Sequence, residues 1–468
     1  MSKVKRIFLP LIVLSVVALT GCGQKEAGNQ SGGDEVVSEK REYKDAELFL
    51  SFLDPLRFIE QKSAKEEIER SWDPSYVSMV LEVIRFAGVR DFFAVLEEKT
   101  GQSFGNNLDE WYAWLWNEDE VKNADYAYFK SQLYKEIDDR FEKYFLGRGD
   151  QTLIRLDEVQ WGGVVQDGIP PLRNPEMITV ADATYLNDED IVFGIEVNGD
   201  VRAYPKRILA WHEMFVDEVG GVPVAGVYCT LCGTVVLYET VLDGTEHALG
   251  TSGFLYRSNK LMYDGATQSL WNTLTGEPVI GPLINKGIAL KHRSVVTTTW
   301  GAWKERHPNT EVLSLETGHR RDYGEGVAYN EYFATDDLMF QTPFQDDRLL
   351  NKQEVLALRF PAHPGEQLAI DAEFLNDNIV YQDQVGEQKL IVFTDKSGAN
   401  RVYDPGEIVF TSYDGDSTVT DSAGGQWTLS ENALTAADGQ SVSSLPYHRA
   451  FWFGWHAAYP ETRLVSGE

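Results

Sequence analysis

The sequence predicts an α+β protein, with a helical N-terminal domain followed by a mostly β tandem repeat of pseudo-two-fold symmetry. Three observations carry this. From Glu47 to about Phe145 apolar residues recur three and four apart, as one face of a helix requires; after about Gly149 the texture becomes strand-like alternation broken by Asn198-Gly199, Asp243-Gly244 and Asp438-Gly439; and blocks of that β region occur twice. The 468 residues, 43% hydrophobic and 12% aromatic, are enough to bury a large core.

Taken in order, the chain opens with Lys3, Lys5 and Arg6, an apolar run from Ile7 to Leu19, and Leu19-Thr20-Gly21-Cys22. A charged start, a run too short to span a bilayer comfortably and small residues before a cysteine resemble a bacterial lipoprotein signal over 1–21, with the Cys22 thiol lipidated. An ordinary secretory signal or membrane anchor is the alternative, and either places the mature chain outside the cytoplasm, in the cell envelope. Residues 22–45 are rich in Gly, Ser, Gln, Asn and charge, so they are expected to form a disordered tether from the membrane anchor. The formal charge of −31, from 73 acidic against 42 basic residues, argues against nucleic acid and anionic lipid surfaces as partners.

Residues 46–148 are expected to form the helical domain. Val77, Val80, Leu81 and Ile84 mark one helix face, Asp73-Pro74 reads as its start, and Thr100-Gly101 as the end of the next helix. The cluster Trp111-Tyr-Ala-Trp-Leu-Trp116 has two readings: a surface that holds a protein partner, as in short helical repeats, or rings that fill the domain's own core.

The β region divides into a first unit, 149–330, and a second, 331–468. Trp300, Trp303, Pro308, Thr310 and Ser314 match Trp452, Trp455, Pro460, Thr462 and Ser466 without a gap, and Val227 to Glu239 matches Val392 to Asp404 position for position. Short helices are expected near Lys206–Phe215 and Trp300–Arg306. The first unit holds Cys229 and Cys232, the only cysteines beyond the signal region, on the tip of a hairpin turned by Gly233. In the second copy Thr394 and Ser397 stand at these places, and Asn378 stands against His212. The hairpin is therefore expected to form without sulfur, which points to chemistry at the thiols of the first copy. Two thiols in so long a secreted chain do not make a disulfide scaffold.

Asp167-Gly-Ile-Pro-Pro171, Arg202-Ala-Tyr-Pro205, Trp211-His-Glu213, Tyr228-Cys-Thr-Leu-Cys-Gly233, Thr251-Ser-Gly-Phe-Leu-Tyr256, Leu261-Met-Tyr-Asp264 and Ser269-Leu-Trp271 occur together and in order. In this the chain resembles the domain-of-unknown-function 3179 family over roughly 161–468. The family pattern has Pro after the first cysteine, where this chain has Thr230. The resemblance implies no established reaction.

Cysteines two residues apart and followed by glycine resemble half of a metal-binding knuckle, in which both sulfurs face one ion. His212 is the best further ligand, then Met262, with Glu213 or Asp264 as harder alternatives; such a soft set favours copper as Cu(I), with zinc next. The same pair would equally serve as a thiol–disulfide oxidoreductase, although Thr234-Val-Val-Leu-Tyr238 continues as a strand and not as the helix that acidifies such thiols elsewhere. A plain structural disulfide or two inert buried thiols is the third reading. Tyr204, Ser252, Tyr256, Asp264 and Trp271 are candidates for the pocket wall with Glu213. A serine nucleophile is disfavoured because no Gly-x-Ser-x-Gly elbow occurs. A non-enzymatic surface protein, holding a partner through its helices, stays open beside the metal and redox readings.

Overall fold

Seven α-helices between Lys44 and Phe145 form the first part of the computed structural model, which describes residues 42–467. The expected lipidation site at Cys22 lies outside the described residues, as does almost all of the expected tether. No helix among the described residues is long and apolar enough to cross a membrane.

The helices begin and end where local chemistry directs. The Asp73 carboxylate accepts the Ser75 N–H at 2.9 Å just ahead of the helix Tyr76–Ala87, and Gly101 closes the helix Phe92–Thr100 in the left-handed conformation, at φ 74°. Trp111, Tyr112 and Trp116 are buried in a hydrophobic core, with Trp114 partly buried against it. That core crosses the expected boundary at 148/149. Phe129, Tyr134, Phe141 and Phe145 pack on Val159, Phe254, Leu261, Tyr263, Leu270 and Ile280, which line one face of the five-stranded sheet built from Val159–Trp161, Leu249–Tyr256, Asn259–Asp264, Leu270–Asn272 and Pro278–Ile280. The ring of Phe254 meets those of Tyr134 and Phe141 at 4.9 and 4.8 Å. The helices thus roof this sheet and supply the apolar cover it lacks.

The two β units repeat one connectivity. In the first, strand Ile191–Val197 is flanked by Val296–Thr299 and Asp200–Pro205, and the latter pairs in parallel with Glu311–Leu313. In the second, Glu354–Arg359 lies between His448–Phe451 and Gln367–Asp371, and the latter pairs in parallel with Arg463–Val465. Each copy then places a short helix, Lys206–His212 or Ala372–Asp377, before a three-strand antiparallel run, Met214–Glu239 or Val380–Tyr403. The closing helices Trp300–Arg306 and Trp452–Ala458 also agree: Trp303 Nε1 donates to Thr310 Oγ1 and Trp455 Nε1 to Thr462 Oγ1, both at 3.0 Å. These pairings establish a repeated order of strands; they do not by themselves define a symmetry axis.

One expectation is corrected. Met214 pairs with Val227 and Val380 with Phe393, so counting along the ladder sets Asp395, not Thr394, against Cys229. The gap-free sequence match is shifted by one residue on this strand. Backbone pairing determines register, and a similarity of apolar residues two apart cannot distinguish neighbouring alignments.

Candidate functional site

The hairpin Val222–Cys229 and Thr234–Glu239 carries Cys229 and Cys232 at its tip as a disulfide, with Cα atoms 5.3 Å apart. Both are buried. Three parts of the chain converge on them. The turn Arg257-Ser258, with both residues at positive φ, brings the Ser258 carbonyl oxygen to 3.0 Å from Cys232 Sγ and 3.9 Å from Cys229 Sγ. From the second copy, the Phe451 N–H donates to the Cys232 carbonyl at 2.7 Å, and Gly454 lies so close that a Cβ there would stand 3.0 Å from Cys232 Cβ. A side chain there would be tight, and the Cys232 Cβ would have to give by a few tenths of an ångström. From the segment joining the copies, Tyr332 donates to the Leu231 carbonyl at 2.7 Å and packs with Leu231 and Leu255, while Phe333 and Phe340 close the outside.

Beside the tip lies a buried ion pair. Lys260 Nζ contacts the Glu213 carboxylate and, at 3.4 Å, the Glu213 carbonyl, which also accepts the Tyr228 N–H at 2.8 Å. The ammonium therefore shares the Glu213 carbonyl with the backbone N–H of Tyr228, the residue before Cys229. Burial lowers the Lys260 pKa while the Glu213 charge opposes that shift. Tyr329 donates to Glu213 Oε1 at 3.4 Å. Glu213 reaches this place because it adopts φ 55° between the helix Lys206–His212 and the strand Met214–Val219. Ser258 belongs to the polar turn Tyr256-Arg257-Ser258 that the sequence places at the pocket, whereas Lys260, Tyr329 and Tyr332 were not among the sequence candidates. A lysine inside the buried strand Asn259–Asp264 was the one available signal; the joining segment offered none.

The remaining candidates go elsewhere. His212 is not a partner of the cysteines: its Nδ1–H donates to the Pro170 carbonyl at 2.9 Å, so Nε2 accepts from Tyr323 Oη at 2.6 Å, and Tyr323 accepts from Thr317 Oγ1 at 2.7 Å. Burial holds its pKa down at about 4. Met262 packs in an apolar cluster with Ala225, Val227, Val236 and Trp271. Among the described residues no group of three or more His, Cys, Asp or Glu side chains could hold a metal. The expected copper or zinc set at Cys229, Cys232, His212 and Met262 is thus not brought together, because the imidazole is spent on a relay and the thioether on the core. Tyr204 stacks on Phe215 and donates to Asp217; Ser252 ties its own strand by donating to the Leu261 carbonyl. Tyr256 lies against Arg257. Asp264 and Trp271 do meet, but around His247, whose Nδ1 is 2.8 Å from Asp264 Oδ2 and whose ring edges that of Trp271.

In the second copy the tip is closed by hydrogen bonds. Asp395 Oδ1 accepts from Ser397 Oγ at 2.6 Å and from the N–H groups of Ser397 and Ala399 at 2.8 and 3.1 Å. The expected sulfur-free hairpin exists, but a carboxylate and a hydroxyl tie it where the first copy has its disulfide.

A family model described as "Protein of unknown function (DUF3179)" matches residues 166–462. No curated protein and no solved structure matches.

Proposed function

Since the chain belongs to the DUF3179 family, whose description assigns no activity, we propose that it is a lipid-anchored thiol–disulfide redox protein of the cell envelope, working through Cys229 and Cys232. The observation that carries this reading is the pair of tips: hydrogen bonds accepted by Asp395 close the one, so a covalent bond is not what this turn requires, yet the other has two bonded sulfurs. In the exchange, a partner thiolate attacks one sulfur and the Cys229–Cys232 bond breaks. Its electron pair goes to the departing sulfur, which takes up a proton; a second partner thiol then displaces the first protein sulfur, leaving the partner oxidised and the protein a dithiol. The Ser258 carbonyl, 3.0 Å from Cys232 Sγ, stands ready to accept the S–H of Cys232. Tyr332 and Phe333 must swing away to admit the partner, which makes the joining segment a cover.

Equilibrating the full chain, carrying Cys22→Ser, with dithiol/disulfide buffers and counting reactive thiols tests this. A reversible two-electron couple between about −120 and −270 mV is expected, the range of exchange proteins. A bond that stays oxidised in the folded protein below about −300 mV would assign the disulfide to structure.

A further inference from the structure

The sulfur site does not use two histidines that the fold brings together from the two copies. His292, on the edge strand Lys291–Arg293, and His448, at the start of His448–Phe451, have ring centres 5.5 Å apart. Both nitrogens of His448 and Nε2 of His292 are enclosed and have no hydrogen-bond partner, and His448 is 2% exposed. A neutral imidazole carries one donor and one acceptor, and leaving each buried and unmade costs about 1–3 kcal/mol, so three such atoms in one place demand a third party. The walls are the Tyr238 ring, 5.7 Å from His292, and the Trp455 ring, 5.6 Å from His448. Burial holds the His292 pKa down at about 3 and that of His448 well below its ordinary value, so both rings present lone pairs at neutral pH.

We propose that His292 and His448 form a two-coordinate site for a soft monovalent ion, Cu(I), between the copies. An ion held at about 2.0 Å by one nitrogen of each ring sets the ring centres about 6 Å apart when collinear and closer when bent. A water bonded to both at about 2.9 Å and a tetrahedral angle sets them about 6.6 Å apart. The observed 5.5 Å, with the ring planes inclined by 60°, is an edge-to-face spacing shorter than both, and an ion meets it only with a bent N–Cu–N angle, about 120°. Zinc requires three or four donors, and no group of three His, Cys, Asp or Glu side chains is present among the described residues. The nearby guanidinium of Arg359, 3.4 Å from Glu277, raises the potential at both rings and favours a single positive charge over two.

The site is independent of the redox reading, and its test removes the sulfurs. The full chain with Cys22, Cys229 and Cys232 all changed to Ser is titrated anaerobically with Cu(I) against a chromophoric chelator. One Cu(I) per chain is expected, with affinity at least 100-fold lower in His448→Leu and in His292→Gln, and with two nitrogen neighbours by X-ray absorption. His292 lies on a sheet edge, so its variant reports even where His448→Leu fails to fold. The oxidised native-sequence pair in a Cys22→Ser chain serves where the triple variant fails to fold. Absence of bound Cu(I), equal binding by the histidine variants, or zinc retained as tightly as copper would each overturn the site.

Discussion

His212 illustrates what burial does to a single side chain. It is wholly enclosed, with a neutral ring whose nitrogens both have partners, and its pKa is about 4 against the ordinary 6.5. The unfolded chain takes up this proton near 6.5 and the native state does not, so stability is full above 6.5 and declines as pH falls toward 4, at up to about 1.4 kcal/mol per unit. Urea midpoints at pH 7 and pH 5 are expected to differ by about 2 kcal/mol more in the native sequence than in His212→Gln. Equal differences would show that the ring titrates normally in the folded state. The variant is also expected to be less stable at pH 7, by about 1–3 kcal/mol, because Pro170 and Tyr323 lose their partner.

Among elements, the joint between helices and sheet rests on a buried ion pair. Lys130, on the helix Tyr126–Lys135, meets Glu82, on the helix Tyr76–Ala87, at 2.8 Å, and also donates to the Val159 carbonyl at 2.7 Å, on the first strand of the roofed sheet. Tyr126 and Tyr134 donate to the same carboxylate. Lys130→Met leaves Glu82 buried without a counter-charge, and a loss of about 3–5 kcal/mol is expected in chemical denaturation. The double change Glu82→Leu with Lys130→Met is expected to recover part of that, since it leaves no lone charge. Additive losses would mean that the pair is not a unit.

At the scale of the whole molecule, the helical segment and the first β unit share one core. Phe254, Leu261, Leu270 and Ile280 are at most 1% exposed only because the helices cover them. A chain beginning at residue 149 would expose a continuous apolar sheet face. It is expected to aggregate or to melt well below the full chain, read by light scattering and thermal denaturation. A soluble fragment of undiminished stability would make the helices an independent domain. The disulfide site has the same character, since its walls come from the first copy, the second copy and the segment between them.

The sequence alone determined the elements whose signal is local. Helical periodicity over Glu47–Phe145, the glycine stop at Gly101, the helix Trp300–Arg306, the cysteine hairpin and the duplication were all legible, because spacing and turn chemistry act between residues near one another in the chain. Tertiary structure alone decided who stands beside the sulfurs. Gly454 and Tyr332 reach the cysteine tip from the second copy and from the joining segment, while His212 and Met262, the expected ligands, are claimed by Tyr323 and by the core. It also decided that Asp395 and Ser397 tie the second tip, since strand register comes from pairing across the sheet and leaves no mark on composition.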